Sequence, residues 1–319
     1  MKILGTGSSL PKKIVSNDDL AQVMDTSDEW ISSRTGIRNR HIAVEETTTS
    51  MSVEAAKKAL GDASVDAEEI DLIIAATVSP DYIFPTLACE VQAALGAVHA
   101  TAFDIGAGCS GFLFALATAD AYFASGRYKK ALILGAETLS KMMDWSDRST
   151  CVLFGDGAGA AVVSAEGMQL LSMVQGSDGA GGMALKCDNR PVRNLYRQGA
   201  LTQYAFTEMN GSEVYKFAVR TVPKAINEAL EKAGISEDEV SLYLLHQANL
   251  RIIESVSKRL HQPMDKFPTN LEACGNISAA SVPILLDKVR KDGMIGKGDK
   301  IVLAGFGAGL TWGACVIEW

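Results

Sequence analysis

The sequence predicts an α/β fold built from two similar strand-helix halves that are related by a pseudo-twofold axis. Two observations support this prediction. Short apolar runs that are typical of buried strands alternate with segments of helical pattern, which predicts a mainly parallel sheet covered on both faces. The second half of the chain also repeats patterns of the first half. Loops from both halves would then meet in one cleft.

The internal repeat is visible in two pairs of segments. They are residues 59–74 with 229–244, and residues 152–159 with 302–309. In the first pair a helix ends, an acidic turn follows and a buried strand begins. The repeat is longer than those of solenoid proteins, so it indicates a duplicated domain. We expect residues 1–168 to form one half and residues 169–319 to form the other.

The elements of the first half follow from local patterns. Asn17 and Ser27 are N-cap candidates for two short helices, and Thr49 or Ser50 for a longer one. Apolar runs predict strands and one further helix, as follows: strands at residues 1–7, 71–76, 103–104, 131–136 and 152–163, and a helix at residues 87–95. Residues 176–209, which are rich in Gly, Arg, Asn and Gln, predict a long loop or flap.

Composition argues against several classes of protein. The 319 residues are 47% hydrophobic and 21% charged, as in ordinary globular proteins, and no apolar run has the length of a membrane span. The strand-like N-terminus does not have the pattern of a secretion signal. A net charge of −8 argues against nucleic acid as a partner. The six scattered cysteines form no CxxC pair, which argues against zinc and disulfides and favours the reducing cytoplasm.

One cysteine stands in a context that favours chemistry. Residues 103–111 read FDIGAGCSG, and small residues lead from a short strand to Cys109. Residues 112–119 are apolar on every side, which predicts a buried helix. A thiol in the first turn of a helix lies near free N–H groups and the positive end of the helix dipole, which lower a thiol pKa and favour a nucleophile. The alternative is a buried cysteine that acts only as a small hydrophobe.

The repeat supplies two partners for Cys109. His246 follows a buried strand of the second half at a point where the matching strand of the first half ends in alanines. Asn276 lies near the position that matches Cys109 itself. Each residue alone could be structural, Asn276 as an N-cap. Three polar groups at repeat-related corners nevertheless predict a Cys–His–Asn site. The backbone N–H of Cys109 and one near Ala308 could form an oxyanion hole.

A basic face is predicted beside this site. Arg251, Lys258 and Arg259 share one side of the helix that follows Asn249. In an acidic protein this face would suit an acidic partner or phosphates, although a merely solvated face is the alternative. No glycine segment completes the three-glycine dinucleotide fingerprint, and we expect no cofactor and no metal.

Ordered motifs extend along nearly the whole chain. They are TSDEWI at 26–31, RTGIR at 34–38, CSGF at 109–112, DRST at 147–150, FGDGAG at 154–159, HQAN at 246–249, GN at 275–276 and LTWG at 310–313. Together they resemble the β-ketoacyl-acyl carrier protein synthase III family of thiolase-like condensing enzymes. The resemblance implies a thiolase-like fold layered α/β/α/β/α, a homodimer and a cytoplasmic location.

The resemblance also implies a two-stage reaction that initiates fatty acid biosynthesis. Cys109 takes an acyl group from acyl-CoA, with acetyl-CoA as the expected primer. Malonyl-acyl carrier protein then condenses with the acyl-enzyme and loses CO2, which gives 3-oxoacyl-acyl carrier protein. His246 and Asn276 would donate hydrogen bonds to the malonyl thioester oxygen and so stabilise the enolate. CoA thioesters are substrates in this scheme, and no cofactor is implied.

Further roles are implied by the same resemblance. The positions that match CoA-binding residues are Thr26, Trp30, Arg34, Arg148, Gly211 and Asn249. Phe84 and Phe306 match acyl-pocket positions, and Phe84 would reach the partner's pocket across the dimer interface. The positions that match the carrier-protein docking surface are Lys216, Gln247, Ala248, Asn249, Leu250 and Arg251, next to Lys258 and Arg259.

Three positions depart from the usual family pattern and leave the primer open. They are Cys274, Ile277 and Ala308. A degradative thiolase would need a second catalytic cysteine in residues 305–309, which contain none. A related acyltransferase of secondary metabolism would keep the whole trio. A non-catalytic acyl-binding subunit is the remaining alternative, and it predicts loss of the cysteine or histidine.

Overall fold

Two mixed β-sheets with helices between and outside them, together with the short antiparallel pairs β2–β3 and β9–β10, make up the computed structural model of the chain. The model describes residues 1–167, 169–192, 194–197 and 205–319. The strands within these residues, in chain order, are β1 (Lys2–Ser9), β2 (Lys13–Ser16), β3 (Asn39–Ile42), β4 (Leu72–Ala76), β5 (Thr101–Ile105), β6 (Lys130–Thr138), β7 (Asp156–Ser164), β8 (Leu170–Ser177), β9 (Leu185–Lys186), β10 (Glu208–Met209), β11 (Val240–Leu245), β12 (Lys300–Gly307) and β13 (Thr311–Glu318). The α-helices are α1 (Asn17–Ala21), α2 (Asp28–Thr35), α3 (Thr48–Ala63), α4 (Leu87–Leu95), α5 (Gly111–Ala124), α6 (Gly211–Ala233), α7 (Leu250–Arg259), α8 (Leu271–Cys274) and α9 (Ser281–Lys291).

Both sheets mix parallel and antiparallel pairs. The first has the order β1-β7-β6-β4-β5, in which β4 runs parallel to β5 and β6, whereas β7 is antiparallel to β6 and β1. The second has the order β11-β12-β13-β8, in which only β11 and β12 are parallel. The prediction of a mainly parallel sheet is therefore wrong. Parallel neighbours need a crossover connection, and neither β6 to β7 nor β12 to β13 contains an α-helix.

The helices form three layers around the sheets. Helices α5 and α9 lie between the sheets, where Phe112, Leu116 and Leu285 pack in one cluster with residues of both. Helices α3 and α4 cover the outer face of the first sheet, and α6 and α7 cover that of the second. A fully buried Leu or Phe side chain contributes about 1.5–3 kcal/mol, so the central layer holds the two sheets firmly together. The order helix, sheet, helix, sheet, helix agrees with the expected layering.

The two sheets correspond broadly to the two predicted halves of the chain. The first sheet uses strands between residues 2 and 164, and the second uses strands between residues 170 and 318. The predicted boundary at residue 168 lies outside the described residues and stays a prediction. Within the predicted flap, β9 and β10 pair as a short antiparallel ribbon. Residues 193 and 198–204 of that flap lie outside the described part of the chain.

The starts of the first helices differ from two of the three predictions. Ser16, not Asn17, caps α1, and its hydroxyl accepts from the Asp19 N–H at 3.1 Å. The side chain of Asn17 is instead buried, where it donates to the Ile37 carbonyl oxygen at 2.7 Å. Ser27 caps α2 as predicted. Helix α3 begins earlier than predicted, because Thr47 and Ser50 form a reciprocal capping box.

Two predicted strands also have different bounds. The strand predicted at residues 152–163 begins only at Asp156, because residues 151–153 form a turn and Phe154 makes an isolated bridge to Asn276. The strand before Cys109 ends at Ile105, one residue later than predicted. No helix in the described ranges is both long enough and apolar enough to cross a lipid bilayer.

Candidate active site

Cys109 lies in a tight turn, Gly108–Ser110, that connects β5 to α5. Its side chain is buried, with 8% of the residue exposed. The loop after β12 packs directly against this turn. A Cβ at Gly307 would lie 2.5 Å from the Cys109 backbone nitrogen, and a Cβ at Gly108 would lie 2.9 Å from the backbone N and O of Ala308. Glycine at both positions therefore allows the two backbones to approach this closely.

A threonine hydroxyl joins the same two segments. Thr311 Oγ1 lies 2.9 Å from the Ala107 carbonyl oxygen, 2.8 Å from Ser110 Oγ and 3.0 Å from the Ala308 carbonyl oxygen. These contacts hold the backbone near Ala308 beside the backbone of Cys109. Sequence reasoning did not identify Thr311 as a site residue, although it stands in the quoted LTWG motif.

His246 directly follows β11 and extends its pairing with β12. Its backbone N–H donates to the Ala304 carbonyl oxygen at 2.8 Å. The imidazole meets the ring of Phe306 edge-on, with the centroids 5.3 Å apart. The residue is 2% exposed, and Nδ1 is buried without a hydrogen-bond partner among the described residues. Burial lowers the pKa of His246 to about 3, so the ring is neutral at physiological pH.

Asn276 is held by its backbone and by its own side chain. Its N–H donates to the Leu153 carbonyl oxygen at 2.9 Å, and its carbonyl oxygen accepts from the Gly155 N–H at 2.9 Å. The side-chain oxygen accepts from the Ser278 N–H at 2.9 Å. Because the oxygen is engaged in this way, the amide nitrogen is the group left to act as a donor.

Contacts between neighbours bring the predicted trio into one region. Phe306 packs on His246, and the next residue, Gly307, lies against Cys109. The turn Ser278–Ala280, which follows Asn276, packs against the turn Gly108–Ser110 that carries Cys109. Three corners of the fold therefore meet around the thiol, and their catalytic roles stay a prediction.

The electrostatic environment of Cys109 differs from the prediction. Burial raises the pKa of the thiol to about 12, the Ser278 hydroxyl opposes this effect, and the charge of Glu137 adds to it. The expected lowering of the thiol pKa by the helix N-terminus is therefore wrong for the free protein. Removal from water is the largest cause, and it raises the pKa because the thiolate is the charged form. The resting group is a protonated thiol.

An exposed cation–aromatic cluster marks the predicted CoA site. The guanidinium carbons of Arg34 and Arg148 lie 4.8 and 5.0 Å from the centre of the Trp30 ring. Asn249 Nδ2 donates to the Arg34 carbonyl oxygen at 3.1 Å, which ties α7 to α2. The hydroxyl of Thr26 is buried without a partner among the described residues.

The remaining CoA position lies at the start of α6. Gly211 lines a cavity of about 500 Å³ together with Met183, Glu208, Met209 and Asn210. The Thr207 N–H donates to the Met142 carbonyl oxygen at 2.9 Å, which joins the strand before this cavity to the turn after β6. Gly211 is thus adjacent to the flap, and its role in binding CoA stays a prediction.

The two predicted acyl-pocket residues have opposite environments. Phe306 is buried against His246, with 4% exposed. Phe84 is 83% exposed on a loop with the exposed side chains of Tyr82 and Ile83. Among the residues that the structure describes, Phe84 of a single chain is therefore exposed to solvent rather than enclosed in a pocket. Its predicted reach into a partner's pocket is not tested by one chain.

The predicted docking surface is exposed or half-buried with one exception. Arg251, Lys258 and Arg259 are exposed on α7, opposite the buried side chains of Ile252 and Val256. The guanidinium of Arg251 donates to the Ser33 carbonyl oxygen at 2.8 Å, which places this face next to α2. Ala248, Asn249 and Leu250 are half-buried, and Lys216 is exposed near the start of α6.

Gln247 is the exception. It is 1% exposed, and its amide nitrogen donates to the Leu245 carbonyl oxygen at 2.8 Å. Its side-chain oxygen accepts from the Asn270 N–H at 3.2 Å. The Gln247 side chain therefore fixes the turn after His246 from the inside and is not exposed to a partner, and the docking role of the segment stays a prediction.

Two buried residues beside the thiol were missed by sequence reasoning. Glu137 is fully buried in β6, and Ser278 lies in the turn after Asn276. The one available signal for Glu137 is a carboxylate within the apolar run ALILGAET. Among the described residues no group of three or more His, Cys, Asp or Glu side chains is arranged to hold a metal ion.

Comparisons with known proteins agree over the whole chain. Two family models match, one described as 3-oxoacyl-[acyl-carrier-protein] synthase III at residues 103–186 and its C-terminal counterpart at residues 230–319. A β-ketoacyl-[acyl-carrier-protein] synthase III from Clostridium acetobutylicum is 46% identical over 320 residues, which cover 100% of this chain and 98% of the relative.

Solved structures show the same likeness. The crystal structure of 3-oxoacyl-[acyl-carrier-protein] synthase III from Aquifex aeolicus has a TM-score of 0.93 and 46% identity, with 100% of this chain and 99% of that chain covered. The priming β-ketosynthase from the R1128 polyketide biosynthetic pathway has a TM-score of 0.93 and 36% identity, with 99% and 95% covered. The expected thiolase-like α/β fold is therefore confirmed.

Proposed function

The chain belongs to the β-ketoacyl-acyl carrier protein synthase III family, and we propose that Cys109, His246 and Asn276 perform its reaction in two stages. It is an acyltransferase, a condensing enzyme that initiates fatty acid synthesis. The proposal concerns which residues carry the chemistry and how. Its main support is that the three corners of the fold that carry Cys109, His246 and Asn276, which the internal repeat relates, meet around one buried thiol.

In the first stage Cys109 takes the acyl group from acyl-CoA. Its sulfur attacks the thioester carbonyl, a bond from sulfur to carbon forms, and CoA leaves as the thiol. The small residues before Cys109 and the close loop at Gly307 support this assignment, because they place backbone rather than bulky side chains against the Cys109 turn. The backbone N–H groups of Cys109 and Ala308 would stabilise the oxyanion.

In the second stage malonyl-acyl carrier protein enters and loses CO2. The carbanion that forms attacks the acyl group on Cys109, and the bond from the acyl carbon to the Cys109 sulfur breaks. This gives 3-oxoacyl-acyl carrier protein and a Cys109 thiolate, which takes up a proton from water. A neutral imidazole at His246 and the amide nitrogen of Asn276 would donate to the malonyl thioester oxygen. The lowered pKa of His246, about 3, supports this role because the N–H of a neutral ring donates a hydrogen bond to the enolate oxygen without protonating it. Each donor is worth about 3–4 kcal/mol in such sites.

Substrate binding is assigned to the surface beside the site. Trp30 with Arg34 and Arg148 offers an aromatic face and two cations, which suits the adenine and phosphates of CoA. The basic face of α7, formed by Arg251, Lys258 and Arg259, suits an acidic carrier protein. No bound cofactor takes part in the proposed scheme.

Assembly and location belong to the same proposal. The exposed loop with Tyr82, Ile83 and Phe84 supports a homodimer in which Phe84 enters the partner's acyl pocket. All six cysteines are free, which supports a reducing compartment such as the cytoplasm.

One experiment tests the proposed function directly. The purified protein is incubated with malonyl-acyl carrier protein and a panel of acyl-CoA primers, and products are identified by mass. Formation of 3-oxoacyl-acyl carrier protein from at least one primer is expected, with acetyl-CoA the first candidate. Absence of condensation with every primer would contradict the proposal.

A second candidate follows from the likeness to the R1128 priming β-ketosynthase. The same trio would serve a priming enzyme of polyketide synthesis, with a different carrier protein as the acceptor. Repeating the panel with malonyl groups on a fatty-acid and a polyketide carrier protein separates the two candidates by the acceptor that is used faster.

A further inference from the structure

Two hydroxyl groups lie between the turn that carries Cys109 and the loop that follows β12. Ser110 Oγ donates to the Ala107 carbonyl oxygen at 2.8 Å, and it lies 2.8 Å from Thr311 Oγ1. Thr311 Oγ1 in turn lies 2.9 Å from the same carbonyl oxygen and 3.0 Å from the Ala308 carbonyl oxygen. The Thr311 hydroxyl therefore contacts both segments at once.

Thr311 is held in place by the second sheet. It is the first residue of β13, where it pairs with Gly307 at the end of β12 and with Ser177 at the end of β8. Strands on both sides thus fix its backbone, and the residue is half-buried. Because Ala308 lies in the tight turn between β12 and β13, the Thr311 hydroxyl is a fixed point against which this turn is placed.

The proton of the Thr311 hydroxyl is available to the Ala308 carbonyl oxygen. Each hydroxyl group carries one proton, and Ser110 donates its own to the Ala107 carbonyl oxygen. Thr311 can then donate to the Ala308 carbonyl oxygen, 3.0 Å away. Without the Thr311 hydroxyl, the Ala308 carbonyl oxygen loses this donor, whereas Ala107 keeps the bond from Ser110. The hold on the Ala308 turn is therefore the contact that loss of the hydroxyl weakens most.

The two segments that Thr311 joins carry the N–H groups assigned to the oxyanion hole, those of Cys109 and Ala308. The segments pack directly against each other, since a Cβ at Gly108 would lie 2.9 Å from the Ala308 backbone nitrogen and oxygen. Both donors belong to the backbone, so no side-chain rotamer sets the distance between them. The packing of the two turns and the hydrogen bonds of Thr311 set it instead.

We propose that Thr311 is a positioning residue whose hydroxyl fixes the geometry of the oxyanion hole, an inference that rests on the two-stage function above. By holding the Ala308 turn against the Cys109 turn, it keeps the two N–H groups at the spacing that stabilises a negative oxygen on the thioester carbonyl. Thr311 exchanges no proton with the substrate in this scheme. Its effect is confined to the steps in which that negative oxygen forms.

A purely structural role for this hydroxyl makes a different prediction. If Thr311 only stabilises the start of β13, its loss alters every reaction of the Cys109 thiol to the same extent. If it positions the oxyanion hole, its loss slows attack on a thioester but not reactions that form no carbonyl oxyanion. Thiol exchange with methyl methanethiosulfonate is such a reaction, because the Cys109 sulfur attacks a sulfur atom and displaces methanesulfinate.

The test compares two rates at Cys109, acetylation by saturating acetyl-CoA and modification by methyl methanethiosulfonate, each followed by mass spectrometry of the peptide that contains Cys109. Thr311→Val keeps the shape of the side chain but removes the hydroxyl, and Thr311→Ser keeps the hydroxyl. Thr118→Val is the matched control, because the Thr118 hydroxyl also donates to a carbonyl oxygen at 2.8 Å, that of Phe114 within α5.

The expected result is a selective loss of acetylation. Thr311→Val should be acetylated about 10-fold more slowly than the wild type, which is part of the effect of losing a whole oxyanion-hole donor. Its reaction with methyl methanethiosulfonate should keep the wild-type rate. Thr311→Ser and Thr118→Val should keep the wild-type rate in both reactions.

Acetylation of Thr311→Val at the wild-type rate would overturn the proposal, and so would an equal slowing of both reactions. Slow acetylation of Thr311→Ser would do the same, since the hydroxyl is then not the group that matters. If Thr311→Val does not fold, Thr311→Ala takes its place, because it also lacks the hydroxyl and is compared with Thr311→Ser in the same way.

The behaviour of the wild type separates this proposal from the proposed function. If acyl-CoA primers leave wild-type Cys109 unmodified while methyl methanethiosulfonate modifies it, the two-stage function is wrong, and the role of Thr311 with it. If acetyl-CoA acylates the wild type and Thr311→Val at equal rates, the positioning role is wrong while the two-stage reaction stands.

Discussion

Gly307 lies so close to Cys109 that a Cβ on it would be 2.5 Å from the Cys109 backbone nitrogen and 2.8 Å from the Cys109 Cβ. The end of β12, in the second half of the chain, thus packs against Cys109, which belongs to the first half. The site exists only where the two halves meet, which explains why its geometry depends on backbone contacts.

This contact makes Gly307→Ala a sensitive variant. We expect the added methyl group to displace the Cys109 turn, to slow acylation at least 10-fold and to lower the free energy of unfolding by about 1–3 kcal/mol. Acyl-enzyme formation and thermal unfolding measure the two effects. Gly61→Ala is the control, since a Cβ there meets no atom within 4 Å, and it should leave acylation unchanged. Normal acylation in Gly307→Ala would show that the turn tolerates displacement.

His246→Ala and Asn276→Ala should separate the two stages. Each variant removes a donor to the malonyl thioester oxygen but leaves the thiol in place, so acyl-enzyme should still form. Malonyl decarboxylation should fall about 100–1000-fold, the usual effect of losing one such donor. Release of labelled CO2 and intact-protein mass measure the two stages. Condensation at the wild-type rate in either variant would refute the assigned roles.

Charge reversal at Arg251 tests the docking face. Arg251→Glu should raise the KM for the carrier protein about 10-fold or more and leave the KM for acyl-CoA unchanged, because the residue lies on the exposed side of α7. Lys57→Glu is a matched control, since Lys57 is exposed on α3, which covers the other sheet. Equal changes in both KM values for Arg251→Glu would argue against a docking role.

The buried imidazole predicts a pH dependence of stability. The pKa of His246 falls from 6.5 to about 3 on folding, so below pH 6.5 the unfolded chain binds a proton that the folded chain does not. Stability is therefore lost as the pH falls from 6.5 towards 3, by about 2 kcal/mol at pH 5. Glu137 has the opposite effect on stability, because burial raises its pKa from 4.5 to about 7. Between these pH values the folded chain binds a proton that the unfolded chain does not, so this contribution to stability grows as the pH falls.

Comparing wild-type protein with His246→Gln isolates the histidine effect. Denaturant unfolding at pH 7 and pH 5 should show a smaller loss of stability in the variant. An identical loss in both proteins would mean that His246 is protonated at little cost in the folded state.

Sequence reasoning was most successful where the internal repeat guided it. Cys109, His246 and Asn276 were selected because they stand at equivalent corners of two halves. Contacts through Gly307, Phe306 and the turn Ser278–Ala280 bring these corners together. The layered arrangement followed from the family resemblance, whereas the residue patterns alone predicted alternating strands and helices and a helix buried on every side.

The features that were missed depend on tertiary burial. The raised pKa of the Cys109 thiol follows from removal from water and from the Glu137 charge, neither of which is visible in a local motif. Gln247 looks like a surface residue within HQAN but points inward. The antiparallel strands arise from the absence of α-helical crossovers, which alternation alone does not reveal.

The central claim is that Cys109 is the acylated nucleophile, and intact-protein mass spectrometry with peptide mapping tests it most directly. After incubation with acetyl-CoA, the wild type should carry one acetyl group on the peptide that contains Cys109, and Cys109→Ser should carry none. Cys151→Ser is the control, because Cys151 is also a buried thiol with a raised pKa, and it should be acetylated like the wild type. Undiminished acetylation of Cys109→Ser would contradict the account.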